Sequence, residues 1–186
     1  KTQWPQHKDC VFDDATKEFS SNDIQLASGT TDGSGNATVG LYANVKASAP
    51  GMLKANITTK VFEASGEFSV DASQSLLSPY ARYVGIRAPQ VAGQQLNTGA
   101  KHQFELISVD PNGNPVAGSS LDVKVFKVNR YWWWSSSASD LAQYAEDSYY
   151  KPVKAFAGKT SADGKMQFSL NVPDADWGTY LIVAHD

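Results

Sequence analysis

Apolar residues in this chain recur at every second position rather than every third or fourth. Residues 37–45 (ATVGLYANV), 52–64 (MLKANITTKVFEA) and 67–77 (EFSVDASQSLL) alternate in the first half. Residues 83–89 (YVGIRAP), 102–110 (HQFELISVD), 121–134 (LDVKVFKVNRYWWW), 165–172 (KMQFSLNV) and 179–186 (TYLIVAHD) do so in the second. A period of two sends successive side chains to opposite faces of an extended chain, so each run predicts a strand with one face on a core. Val, Ile, Phe, Tyr and Thr dominate the runs, and Gly, Pro, Asn and Asp separate them. Helical spacing occurs once, at residues 137–148 (SASDLAQYAEDS), where Ser139 can cap a short face of Leu141, Tyr144 and Ala145. The pattern predicts an all-β fold of antiparallel sandwiches, with that short helical insertion between strands of the second one.

A repeat supports two sandwiches. SGTTDGSGNATVGL (28–41) and GKTSADGKMQFSL (158–170) share a Thr strand end, an Asp-Gly turn and an alternating strand that ends in Leu. Asp-Gly takes the positive φ angles of a tight hairpin readily. A length of 186 residues fits two domains of roughly 90–100 residues. LSPYAR (77–82) carries a proline between strand runs, so the expected domains are residues 1–80 and 81–186. Pro79, Tyr80 and Arg82 are the expected interdomain hinge.

Composition narrows the function classes. A hydrophobic fraction of 41% suffices for real cores, and at a net charge of −3 with scattered basic residues there is no nucleic-acid footprint. No apolar stretch is long enough to span a bilayer, and Lys1 opens no signal-peptide pattern. Cys10, the single cysteine, forms no intrachain disulfide; between Asp9 and Val11 it reads as a small buried hydrophobe. A nucleophilic Cys10 would need a base, and His7, three residues back on an extended chain, falls on the opposite face. His7, His102 and His185 lack zinc spacing. The acidic turns DDATKE (13–18) and DADW (174–177) read as solvated loops ahead of calcium sites, and TDGSGN (31–36) as a hairpin rather than a phosphate loop. Gly-x-Ser-x-Gly is absent. No catalytic residue, metal ligand or cofactor is expected, and the chain is not expected to be an enzyme.

Three adjacent tryptophans are the strongest local signal. On a strand Trp132 and Trp134 share one face and Trp133 takes the other, so one strand cannot lay all three into a flat platform. Burying one Trp removes on the order of 200 Å² from water, roughly 5 kcal/mol at about 25 cal/mol per Å². The expected role of Trp132, Trp133 and Trp134, with Tyr149 and Tyr150 closing over them and Trp177 packing at the start of the last strand, is a structural or partner-facing aromatic cluster. The alternative is a carbohydrate-binding or adhesin module that uses Trp132 and Trp134 as its patch. A glycan-active enzyme with two facing carboxylates is a third reading.

The second half, VKVFKVNRYWWW (123–134), then KPVKAFAGKTSADGKMQFSLNV (151–172), then DWGTYLIVAHD (176–186), resembles the macroglobulin-like domains of bacterial alpha-2-macroglobulins. GTTDGSGNATVGLYANV (29–45), LKANITTKVFEASGEFSV (53–70) and YVGIRAP (83–89) resemble the junction between two such domains, in the same order. The resemblance spans residues 9–186 and suggests roughly the fifth and sixth macroglobulin domains, preceding the bait-region domain. It implies two consecutive seven-stranded, immunoglobulin-like sandwiches, the first N-terminally truncated. It further implies a non-catalytic scaffold from a large protein exported to the bacterial periplasm or cell surface, with a lipid anchor possible on the parent. In such proteins a protease cuts a bait region and a Cys-x-Glu-Gln thioester captures it, so proteases are targets of the whole protein. Cys10 is followed by Val11, Phe12 and Asp13, so no capture residue carries over. The implied partners of this piece are the neighbouring domains of its parent chain.

Overall fold

The computed structural model describes residues 1–17, 19–20, 23–40, 49–91, 95–128 and 152–186. Among these the fold is all-β, with eight strands and two 3₁₀ turns, Pro5–His7 and Asp174–Asp176. The strands are β1 (Leu53–Phe62), β2 (Phe68–Leu77), β3 (Tyr83–Arg87), β4 (Lys101–Val109), β5 (Ser120–Val128), β6 (Lys154–Lys159), β7 (Lys165–Asn171) and β8 (Thr179–His185). All pairings are antiparallel. β3-β4-β7 form sheet 1 and β6-β5-β8 form sheet 2, while β1 and β2 form a separate hairpin. The expected helix at residues 137–148 lies outside the described residues.

Sheets 1 and 2 face each other as a sandwich, and alternation decides what fills it. On β5, Leu121, Val123 and Val125 turn inward and are buried, while Asp122 and Lys124 between them stay exposed. Phe104 and Leu106 of β4 and Phe168 and Leu170 of β7 meet them in one core cluster. Phe104 and Phe168 are register partners, and their rings stack at 5.2 Å. Phe156 of β6 reaches across from sheet 2 to Phe168 at 4.9 Å, so an aromatic trio joins the two sheets. At one end of the core, buried Ser108, Ser119 and Thr160 satisfy one another. The Ser108 and Ser119 hydroxyls lie 2.9 Å apart, Ser119 N–H donates to Thr160 Oγ1 at 2.9 Å, and Thr160 Oγ1 donates to Val116 O at 2.9 Å.

β6 carries no clear strand signal in the sequence. Its KAFAGK has one large apolar side chain, and pairing with β5 from Val125↔Lys154 to Ser120↔Lys159 makes it a strand. The β1–β2 hairpin shows the reverse case. Its ten-pair ladder is regular, yet Val61, Phe62, Phe68, Val70 and Leu76 are all more than half exposed. The register explains this. Ile57 and Val61 on one face stand opposite Ser73 and Ser69, while Phe68, Val70 and Leu76 point to the other face. Between the Leu53–Leu77 pair at the base and the Phe62–Phe68 pair at the tip, whose rings lie 5.3 Å apart, neither face of the ribbon is apolar across both strands.

Four tight loops share one geometry, and of these only 63–67 joins two paired strands, β1 and β2. At residues 32–36, 63–67, 110–114 and 161–165, the first residue's N–H donates to the fifth residue's carbonyl, and the fourth residue's N–H donates back to the first residue's carbonyl. The fourth residue is always glycine, Gly35, Gly66, Gly113 and Gly164, with φ between 73° and 91°. This is a type I turn closed by a left-handed glycine bulge. The repeated Asp-Gly of the sequence therefore sits in two registers of the same loop. Asp32 opens its loop and Gly35 takes the positive φ, not Gly33; in the second copy Ser161 opens the loop and Gly164 follows Asp163 directly.

Gly164→Ala and Gly66→Ala separate strain from crowding. Both add a side chain at positive φ, which costs about 1–2 kcal/mol. At Gly164 the new Cβ would also sit 2.8 Å from Pro115 Cβ and 3.0 Å from Ser108 O, whereas at Gly66 it meets nothing within 4 Å. Thermal melts of the two variants should show the larger fall for Gly164→Ala; equal falls would mean that crowding at Gly164 relaxes freely.

Candidate functional site

The outer face of sheet 1 carries the most elaborate arrangement of side chains in the described residues. The second half of β4 is buried on both faces: Leu106 points into the sandwich, and Ile107 and Val109 point away from it, while Lys101, Gln103 and Glu105 keep the outer face of the first half polar. Residues 2–12 cover that outer face. Trp4 lies edge-on to Phe12 at 4.8 Å and to Tyr83 at 5.4 Å, and Tyr80 lies edge-on to Tyr83 at 5.8 Å. Cys10, Ile107 and Val109 complete this second core, with Met52 packed against it. Val11 points outward and is exposed, but its backbone exchanges two 2.9 Å hydrogen bonds with Ile86, extending sheet 1 beyond β3.

The same segment grips the loop at the end of β4. Trp4 Nε1 donates to Pro111 O at 3.3 Å, Gln6 Nε2 to Gly113 O at 3.1 Å, and His7 Nε2 to Gly113 O at 3.0 Å. The loop is held ready for this by Asp110, whose Oδ1 accepts from the Asn112 and Asn114 backbones at 2.8 and 2.9 Å. The Asn114 side-chain amide donates to the other oxygen, and these bonds hold the Asp110 carboxyl below its ordinary pKa. Of these residues the sequence pointed only to Cys10 as a small buried hydrophobe; Trp4 and Phe12, spaced irregularly in WPQHKDCVF, announce no layer.

Cys10 sits in this core as a small hydrophobe. Burial raises its thiol pKa, partly opposed by the nearby Arg87 guanidinium. Arg87 itself donates to Glu105 at 2.8 Å, and Lys165 meets the other Glu105 oxygen at 3.4 Å. A shallow groove of about 310 Å³ runs beside them, bordered by Asp9, Gln90, Gln103 and Gln167. A second depression of about 330 Å³ lies on sheet 2, between Asp122, Lys124, Ala155, Ala157 and His185. The first groove has two carboxylates on its border, Asp9 and the ion-paired Glu105, and the second has one, Asp122. Among the described residues no group of three or more His, Cys, Asp or Glu could hold a metal ion. In the acidic turn at 13–18, Asp13 Oδ1 accepts from Thr2 N and Asp14 Oδ1 accepts from the N–H and hydroxyl of Thr16, so both carboxylates cap backbone.

Of the residues singled out from the sequence, Trp132, Trp133, Trp134, Tyr149 and Tyr150 lie outside the described residues. Trp177 follows the Asp174–Asp176 turn and is 62% exposed. Pro79, Tyr80 and Arg82 stand in a junction with many ties. Arg82 Nε pairs with Asp186 at 2.8 Å, the Tyr80 hydroxyl donates to Ala49 O, and Ser78 Oγ bonds both Tyr80 O and the Tyr83 hydroxyl.

A family model described as bacterial macroglobulin domain 6 matches residues 85–186. No curated protein and no solved structure matches the chain. The match begins inside β3 and runs to the end of the sequence, so it takes in both sheets of the sandwich and leaves out the segment that covers Ile107 and Val109.

Because Cys10 is buried and its thiol is held protonated, a thiol reagent at neutral pH should label the native chain roughly a hundredfold or more slowly than the denatured chain. Equal rates would place Cys10 at the surface and dissolve the second core.

Proposed function

Because the chain belongs to the bacterial macroglobulin domain 6 family through residues 85–186, we propose that it is a non-catalytic scaffold piece of a bacterial alpha-2-macroglobulin-type protease trap. In this reading the bait and thioester regions belong to other parts of the parent chain, proteases are the targets of the whole protein, and the parent is exported to the periplasm or cell surface. The observation that carries the reading is the family match over the whole sandwich. The packing agrees with it: sheet 1 is buried on its inner face and, around Ile107 and Val109, on its outer face, and its aromatic side chains are spent on internal contacts. Domains of this family are structural rather than catalytic in general.

A carbohydrate-binding role is the second reading, and the exposed ring of Trp177 is the observation that favours it. Indole rings stack on sugar rings.

The parent reading frame separates the two. The scaffold reading expects a long frame with an export signal upstream, further macroglobulin domains on both sides, and a Cys-x-Glu-Gln motif or its remnant downstream. A frame that stops near Asp186, or joins a glycosidase, would overturn it. Titration of the chain with a panel of polysaccharides should leave tryptophan fluorescence unchanged, and a saturable shift would favour carbohydrate binding.

A further inference from the structure

We infer that residues 2–16 are a clamp that makes residues 1–17 and 49–52 and the described part of 78–186 one mechanical body. The β1–β2 hairpin and the exposed residues 23–40 project from this body. The division between moving parts then does not fall at Pro79–Arg82. The first residues of the chain belong with the sandwich, and the hairpin is an arm fixed at its base.

Three sets of contacts converge on this. The first is the grip of Trp4, Gln6 and His7 on the carbonyls of the 110–114 loop. The second is the paired backbone of Val11 and Ile86 at the open edge of sheet 1. The third ties the same segment to the foot of the hairpin. Met52 N–H donates to Thr2 Oγ1 at 2.7 Å, Thr2 N–H to Asp13 Oδ1 at 2.8 Å, and Asp14 N–H to Pro50 O at 2.7 Å. The Tyr80 hydroxyl reaches Ala49 O from the far side of the hairpin and receives Lys17 Nζ at 3.3 Å. Residues 49–52 are therefore held directly by a segment that is itself bolted to the sandwich, and at the other end of the arm Tyr80 packs on that segment's aromatic cluster and bonds Ala49.

Glycines mark where the clamp seats. A Cβ on Gly51 would lie 2.3 Å from Thr2 Oγ1 and 2.5 Å from Asp13 Oδ1. On Gly85 it would lie 2.5 Å from the Phe12 ring, and on Gly113 it would lie 2.5 Å from the Trp4 ring. Three glycines from three separate stretches of chain leave room for residues of the same short segment, with the aromatic rings or side-chain oxygens in near contact with backbone. Such an approach is possible only where the side chain is a hydrogen atom. Thr2 and Ala49, at the foot of the arm, are almost completely buried, as at an interior and not at a flexible joint.

The mechanical consequence rests on the scaffold reading: a displacement of whatever contacts the arm passes to the sandwich without being absorbed at the junction. The clamp itself rests on the contacts alone. If it fails, the scaffold reading still stands on the parent reading frame.

The test uses the full chain with Cys10→Ala and spin labels on cysteines at Lys54 and Lys159, both exposed, one at the foot of the arm and one on β6. Electron–electron dipolar distances should give one narrow population. Trp4→Ala, and separately Gly51→Ala, should broaden the distribution about twofold or more, with the near-ultraviolet circular dichroism of the sandwich retained. Gly66→Ala, at the arm's tip, should leave the distribution as it is. A broad distribution in the parent protein would overturn the clamp, and so would two folded clamp variants as narrow as the parent. If Trp4→Ala does not fold, Gly51→Ala and the parent distribution decide between these outcomes.

Discussion

A strand segment that is buried on both faces has to be covered twice, and the second half of β4 is such a segment. Its inner face, Phe104 and Leu106, is met by sheet 2. Its outer face, Ile107 and Val109, would meet water if sheet 1 ended the molecule. Burying large apolar side chains of this kind is worth about 1.5–3 kcal/mol each, so an uncovered outer face would weaken the whole sandwich. Trp4, Cys10 and Phe12 supply the cover, and the Val11–Ile86 bonds fix its register. The placing of Thr2, Asp13 and Tyr80, and through them the foot of the hairpin, depends on that cover staying down.

The sandwich of the second half was legible where its strands alternate, before the pattern breaks at Ile107 of β4 and Phe126 of β5, which are buried on the outer faces. β5 reads Leu121, Val123, Val125 inward against Asp122, Lys124 outward, and that is how it packs. β6 was not legible, because Ala155, Ala157 and Gly158 carry no strand preference and Phe156 alone faces the core; pairing with β5 overrides local propensity there. The aromatic layer was missed for a different reason. Residues 2–12 form no named strand, only a 3₁₀ turn and one bridge, so periodicity had nothing regular to detect. Its signal was tertiary: a Trp, a Cys and a Phe answering a distant strand whose outer face is Ile107 and Val109. The Asp-Gly repeat was a true turn signal but not a hairpin one: no strand flanks residues 32–36 among the described residues, and 161–165 crosses from β6 of sheet 2 to β7 of sheet 1. Loop geometry is set by which residue reaches positive φ, and Gly35 and Gly164 hold that place at different offsets from the aspartate.

The family match and the packing describe units of different extent. The match begins at residue 85, inside β3, while the packed body reaches back to Thr2 through Phe12 and Tyr83. A boundary drawn at a proline between strands follows the order of the chain, and the buried contacts follow space. In a multidomain protein an extended segment that crosses to the next domain and lies on its sheet couples the two more firmly than a linker does, because backbone pairing and ring packing add to the covalent connection. The 110–114 loop is part of this coupling: Asp110 shapes it from within, and Trp4, Gln6 and His7 hold it from outside.

The central claim is that the N-terminal segment is a structural layer of the sandwich. Native-state hydrogen exchange of the Val11 and Ile86 amides tests it most directly, because each donates to the other's carbonyl at 2.9 Å. If the segment is a layer, both amides exchange with the protection of the core amides of Leu106 and Val123, through the same global opening. Exchange of Val11 orders of magnitude faster than the core, with Leu106 and Val123 still protected, would show that the segment lifts off a sandwich able to stand without it.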